Sequence, residues 1–150
     1  MKTPAHFTTQ QITAQETYPV RHAVLRTGKP IETCAFNGDD LTTTIHLGLF
    51  REKAIVGVLS FMKTNNDVFT STQQYQLRGM AIDKLYQGKG LGNLLLNAGE
   101  QILKAKNVDL IWCNARRIAT NFYNRNGYKT VGDAFEIPEI GLHYIMYKNL

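Results

Sequence analysis

The chain has little cysteine, little proline and no long apolar run. Its 150 residues include two cysteines, Cys34 and Cys113, far apart and without Cys-x-x-Cys spacing. That argues against a disulfide scaffold or a structural zinc site and for a reducing compartment. The four histidines, His6, His22, His46 and His143, lack the His-Glu-x-x-His spacing of a helical metal site, so no metal is expected. The longest apolar-rich stretch, Ala54–Met62, covers nine residues, against the roughly 20 that a membrane-spanning helix needs. The opening MKTPAHFTTQ has no apolar segment of the secretory kind. A soluble, cytoplasmic protein with no membrane partner is expected. No internal repeat, low-complexity segment or Pro/Ser-rich linker divides the chain, so one domain over residues 1–150 is expected.

What is present suffices for a core: 43% of residues are hydrophobic and 19% charged, a globular balance. The net charge is +5, and it is unevenly spread. Between positions 104 and 129 stand Lys104, Lys106, Arg116, Arg117, Arg125 and Lys129 against the single acid Asp109. Such a window suits an anionic partner, either nucleic acid or a phosphorylated small molecule, or is simply a solvated face. It carries no RNP-like aromatic motif and no zinc or helix-turn-helix signature, which disfavours nucleic acid.

Periodicity predicts the elements. Thr8–Ile12 reads as a strand, and Thr13-x-x-Glu16 has capping-box spacing for a helix through about Arg26, kinked or restarted at Pro19. Residues 28–41 read as an irregular loop. Thr43–Phe50 and Ala54–Met62, joined by Arg51-Glu52-Lys53, read as a hairpin. Gln73–Ile82 is a third strand. After the Gln87–Gly92 turn, Leu91, Leu94, Leu95, Ala98, Ile102 and Ala105 mark a helix of 3.6-residue period. Val108–Asn114 reads as a buried strand, Arg116–Asn126 as a second amphipathic helix closed by Gly127, and Tyr128–Val131 and Leu142–Lys148 as final strands. The fold class is a mixed α/β (α+β) layer.

The strongest local signal is strand, glycine turn, helix over Met80–Gly92. A GxGxxG dinucleotide turn starting at Gly88 would need glycine at Asn93, and the GxxxxGK[ST] pattern is absent. What remains is Gln87-x-x-Gly90-x-Gly92. A helix N-terminus offers unpaired N–H groups and a partial positive charge, glycines let a phosphate approach, and Lys89 adds charge. The same residues also suit a plain strand-to-helix turn.

Three segments, MAIDKLYQGKGLG, ARRIATNFYNRNGY and GLHYIMYKNL, resemble the GNAT superfamily of N-acetyltransferases. The turn matches Q/R-x-x-G-x-G/A. The later helix matches A-x-x-[FL]-Y-x-x-x-G-[FY] through Ala119, Phe122, Tyr123, Gly127 and Tyr128. The resemblance covers residues 73–150 closely and residues 8–62 only in element order. It implies a central, mostly antiparallel sheet of six to seven strands with about four helices. It also implies acetyl-CoA as cosubstrate, its pyrophosphate on Gln87, Gly88, Lys89, Gly90, Leu91 and Gly92, its pantetheine arm along Met80, Ala81 and Ile82. The amide of Ile82 would polarise the thioester carbonyl.

By the same resemblance, an amine attacks the thioester directly and Tyr123 donates a proton or hydrogen bond to the leaving thiolate. Two positions depart from the family pattern. Arg116 stands where many members hold the pantetheine with Asn, and Asn114 is the substitute. Arg78 stands where some carry a glutamate base. His143, Glu136 or water is then the base. Arg21 and Arg26 are candidates to hold an anionic substrate group, whereas Asp39 and Asp40 would attract a cationic amine; these readings conflict and both stand. His46 reads as a residue at the core edge. The expected function is transfer of acetyl to a small-molecule amine. A non-catalytic acyl-CoA sensor of the same fold is the alternative, and a homodimer is compatible with the family.

Overall fold

The computed structural model describes residues 6–150. Seven strands form one sheet: β1 (Phe7–Ile12), β2 (Ile45–Arg51), β3 (Ala54–Met62), β4 (Gln74–Ile82), β5 (Leu110–Arg116), β6 (Lys129–Ile137) and β7 (Gly141–Asn149). The spatial order is β1-β2-β3-β4-β5-β7-β6. Every neighbouring pair is antiparallel except β4 and β5. The helices among the described residues are α1 (Ala14–Val24), α2 (Leu91–Ala105) and α3 (Thr120–Arg125), three rather than the four expected, with short 3₁₀ turns at Ile31–Cys34, Lys84–Tyr86 and Arg117–Ala119.

Helix α1 starts where its capping box predicts. Thr13 Oγ1 accepts from the Glu16 N–H, and Glu16 Oε1 accepts from the Thr13 N–H. The helix runs through Pro19 without restarting. Strand alternation then sorts the helices. Leu59 and Phe61 of β3 share a cluster with Leu91, Leu95, Leu96 and Leu103 of α2. Val58 shares another with Val20 of α1. Successive strand residues face opposite sides, so α1 and α2 cover opposite faces of the sheet. Gly99 of α2 lies so close to β3 that a Cβ there would stand 2.6 Å from Phe61 Cε2.

Two boundaries differ from the periodicity. The 116–126 helix shrinks to α3 because the strand's in-out alternation persists: Cys113 and Ala115 are buried, Asn114 and Arg116 exposed, and Arg116 is still paired opposite His143. Strand β6 runs on to Ile137, taking Glu136 out of its expected loop. Its register slips between Val131 and Phe135, where Gly132 adopts φ 73°, so the alternation that would betray a strand is interrupted there.

The parallel join is short. Gln74–Gln76 of β4 pair with Leu110–Trp112 of β5, and pairing stops there. Beyond it the two strands part. β4 itself changes course at Gly79, whose φ is 60°, and its register with β3 shifts between Val58 and Ser60.

Candidate active site

The gap between the parted strands is a cavity of about 920 Å³. Its lining combines the β4 segment Gln76–Ile82, the β5 end Cys113–Arg116, the glycine turn with the start of α2, Phe122 and Tyr123 of α3, and His143 of β7.

The β4 edge supplies backbone donors. The Asp83 N–H donates to Val56 O at 2.8 Å, toward β3. Since successive strand amides alternate in direction, the Ile82 N–H points the other way, into the gap. Gln87 Nε2 donates to Ile82 O at 2.8 Å, so this side chain fastens the turn onto the strand end rather than reaching outward. Gly88 and Gly90 both sit at φ 76°, left-handed backbone that costs a residue with a Cβ roughly 1–2 kcal/mol. Gly90 caps α2 without a side-chain hydrogen bond, leaving the first amides of a 15-residue helix for an anion. Gly92 has another reason to be glycine: a Cβ there would meet Phe122 Cε1 at 3.0 Å.

Of the residues expected to hold the cosubstrate, Met80, Ala81, Ile82, Gln87, Gly88, Gly90, Leu91, Gly92, Asn114 and Arg116 line the cavity. Lys89 does not border it; its ammonium stands 5.7 Å from the Tyr86 ring. Asn114 and Arg116 occupy the same exposed face of β5.

Tyr123 and His143 border the same cavity. Tyr123 is buried, flanked edge-on by Phe122 at 5.2 Å and Tyr128 at 5.5 Å between centroids. Burial raises its phenol far above the ordinary value, and the Cys113 thiol pushes in the same direction, so it stays protonated. His143 Nδ1 lies 2.7 Å from Gly141 O. A carbonyl can only accept, so Nδ1 carries a proton, and the tautomer this selects has its lone pair on Nε2. Cys113 also touches the cavity, but burial pushes its thiol up to about 12, against a smaller opposing hydrogen bond from Met146. It is a neutral thiol at physiological pH and a poor nucleophile.

The two arginines proposed for substrate differ. Arg26 lines the cavity. Arg21 is fully buried, which corrects its reading as a substrate ligand. Its Nη1 donates to Asp39 Oδ2 at 2.7 Å and Cys34 O at 2.8 Å, its Nη2 to Asp39 Oδ1 at 3.0 Å and Ser60 Oγ at 2.9 Å. Asp39 is consumed in the same pair, so it attracts no amine. His46 joins this network through Ser60 Oγ at 2.6 Å and Asp39 O at 2.9 Å. Ser60, His46 and Asp39 thus meet as a sealed structural cluster, with Ser60 wholly buried. Glu136 is exposed on β6 and outside the lining. Phe36, Ile137 and Ile140 also line the cavity; they were not singled out in the sequence, since loop and strand-end residues carry no local motif. Among the described residues no group of side chains is arranged to hold a metal ion, and no helix is long and apolar enough to cross a membrane.

Comparison with known proteins agrees with this geometry. The family model for the acetyltransferase (GNAT) domain matches residues 36–148. A Bacillus subtilis (strain 168) protein described as the uncharacterized N-acetyltransferase YitI is 35% identical over 139 residues, 93% of each chain. Among solved structures, Escherichia coli ElaA superposes with a TM-score of 0.75 at 14% identity, covering 95% of this chain and 99% of its own. The PaiA N-acetyltransferase of Thermoplasma acidophilum in complex with coenzyme A superposes with a TM-score of 0.70 at 16% identity, covering 96% and 99%. At such identities the structures speak for the fold, and the family match speaks for the chemistry. The chain belongs to the GNAT family of acetyltransferases, acyltransferases that take the acetyl group from acetyl-CoA.

Proposed function

We propose that the protein transfers acetyl from acetyl-CoA to a primary amine of a small molecule, by direct attack within a ternary complex, as a single cytoplasmic domain. The observation that carries the reading is the convergence of a proton donor, Tyr123, and a lone-pair acceptor, His143, on the cavity into which the glycine turn opens.

Acetyl-CoA, when bound, supplies an activated thioester. The first amides of α2, with Gly88 and Gly90, suit its pyrophosphate, and the free β4 edge at Met80–Ile82 suits the pantetheine arm. Asn114 and Arg116 add polar contacts from β5. The Ile82 N–H is a donor for the thioester carbonyl. His143 Nε2 accepts a proton from the acceptor's ammonium, directly or through water, while Nδ1 remains tied to Gly141 O and fixes the ring. The Tyr123 hydroxyl hydrogen-bonds or protonates the departing sulfur; its raised pKa keeps it neutral and makes it a weaker acid, so it favours the hydrogen bond over full proton transfer and never repels the thiolate. The neutral Cys113 thiol favours direct transfer over an acyl-enzyme.

An amine panel with acetyl-CoA, read as free thiol, tests this. Thiol release that requires an amine, with initial-rate lines that intersect, is expected. Parallel lines would point to an acyl-enzyme. Tight acetyl-CoA binding with no transfer to any amine would leave a non-catalytic sensor of the same fold.

A further inference from the structure

Three guanidinium groups gather on one aromatic ring. From the Phe36 centroid, Arg21 Cζ lies 3.9 Å away, Arg78 Cζ 4.9 Å and Arg26 Cζ 5.7 Å. Only one carboxylate answers them, and it is spent on Arg21: Asp39 takes both of its terminal nitrogens. Arg26 and Arg78 form no ion pair among the described residues. Arg78 Nη1 makes only a long contact of 3.5 Å to Asn37 O and one of 3.7 Å to the Met62 sulfur, and Arg26 Nε is buried with no hydrogen-bond partner. Gly79 makes the cluster possible, because a Cβ at its φ of 60° would stand 2.8 Å from Phe36 Cε2. Both free arginines and Phe36 line the cavity, together with Lys84, Arg116 and Arg125, and the lining includes no aspartate or glutamate.

Arg26 and Arg78 are two half-buried cations beside the Arg21–Asp39 pair, with no anion of their own; they repel one another and have lost water. Burial first, then the charges of Arg21 and Arg26, disfavour the charged form of Arg78, against the opposing charge of Asp39. Cation–π contact with Phe36 partly compensates the lost water without using up N–H donors, which stay available for a ligand. Guanidinium edges pair best with a planar or tetrahedral oxyanion.

We infer that the acetyl acceptor is an amine that also carries an oxyanion, a carboxylate or a phosphate, held by Arg26 and Arg78 beside Phe36, and that polycationic amines are turned away. This rests on the transferase reading above. The same positive field helps the chemistry, since nearby guanidiniums favour the neutral, nucleophilic form of a bound amine. Arg78, in the strand position where a carboxylate base would attract a cation, instead reverses the charge preference of the site.

Matched probes test it: 4-aminobutyrate against 4-aminobutanamide, phosphoethanolamine against ethanolamine, and spermidine as a polycation. The anionic member of at least one pair should lead in kcat/KM by about 10–100-fold, the scale of charge-assisted hydrogen bonds. The two pairs tell carboxylate from phosphate. Arg78→Gln should erase that lead by raising the acceptor KM and leave the KM for acetyl-CoA unchanged, with Arg78→Lys recovering part of it. Thermal melting checks that the variants fold, and Arg26→Gln provides a second route should Arg78→Gln fail to. Calorimetric titration of 4-aminobutyrate and of phosphoethanolamine into CoA-saturated protein reads binding without turnover. Equal use of both members of each pair, a preference for spermidine, no binding of either anionic probe, or binding unchanged in both arginine variants overturns the inference. Anionic probes bound through Arg78 while no amine tested is acetylated would uphold the oxyanion site and remove the transferase reading; amines acetylated irrespective of charge would do the reverse.

Discussion

The two walls of the cavity are built differently. One, the β4 edge with the glycine turn and the start of α2, offers a ligand backbone amides. Its residue choices serve φ angles and close approach, as at Gly88 and Gly90. The other, around Phe36, Arg26, Arg78 and His143, works with side chains brought from the segment just after α1, a loop, β4 and β7. The first can serve one cosubstrate in any sequence that keeps the backbone. The second can change its ligand by exchanging one side chain, which is how Arg78 comes to oppose the charge preference of a carboxylate at that place. A constant donor and a variable acceptor call for this division.

Substitutions on each wall separate the two. The largest effect is expected at Tyr123, which borders the cavity and is the donor to the sulfur in the proposed reaction. Tyr123→Phe should lower kcat by about 10²–10⁴-fold, the range for a positioned acid, while acetyl-CoA affinity stays near parental because the ring still fills its place. Steady-state rates with calorimetric titration read both. Parental turnover would assign the sulfur to water or a backbone group.

Next comes Asp39, the sole anion of the arginine wall. Asp39→Asn leaves Arg21 buried and unpaired, and breaking such a pair costs about 3–5 kcal/mol. The urea midpoint should fall accordingly. The pH dependence carries the same sign. Burial pushes the Asp39 carboxyl up, but the hydrogen bonds and charge of Arg21, the Phe36 N–H and His46 together hold it below its ordinary value. A depressed carboxyl contributes stability that is present above the unfolded pKa of about 4. That contribution is lost as pH falls through the lower folded value. The parent's urea midpoint should therefore drop below about pH 4, and the Asp39→Asn midpoint should drop less there.

How far each wall was legible follows from the same contrast. The backbone wall is local in sequence: strand, glycine turn and helix lie within Gln74–Ala105, and each leaves a period or a glycine to read. The arginine wall joins positions 21, 26, 36, 39 and 78, whose meeting depends on how α1 crosses the sheet. No spacing announces it, so Arg21 and Arg26 read as equivalent in sequence although Asp39 stands against only one of them. Arg78 was visible as a charge reversal but not as a neighbour of Phe36. His143 was legible through strand order, since β7 pairs with β5 and sets it opposite Arg116. Its tautomer was not, because it depends on a turn carbonyl at Gly141. Helix α3 is shorter than its sequence suggests because Ala119, Phe122 and Tyr123 fit a helix well, while the alternation that keeps Arg116 in β5 spans only a few residues.

The two smallest effects lie within the glycine turn and separate its glycines by cause. Gly90 is held at φ 76°, so Gly90→Val must either strain the turn or rotate the amides that begin α2. Coenzyme A affinity should fall by about 5- to 30-fold, the equivalent of the roughly 1–2 kcal/mol left-handed penalty. Gly92 lies inside α2, and a Cβ there meets the Phe122 ring edge at 3.0 Å. Alanine gains up to about 1 kcal/mol over glycine inside a helix, and displacing Phe122 by a few tenths of an ångström opposes that gain. Gly92→Ala should therefore melt within a few degrees of the parent and bind coenzyme A within about twofold of it. Because Phe122 flanks Tyr123, a small drop in kcat is the expected signature. A large loss of coenzyme A affinity would mean that the pyrophosphate presses on Gly92 itself, and that the whole turn is one anion cradle rather than a cradle at Gly88–Gly90 followed by a packing contact.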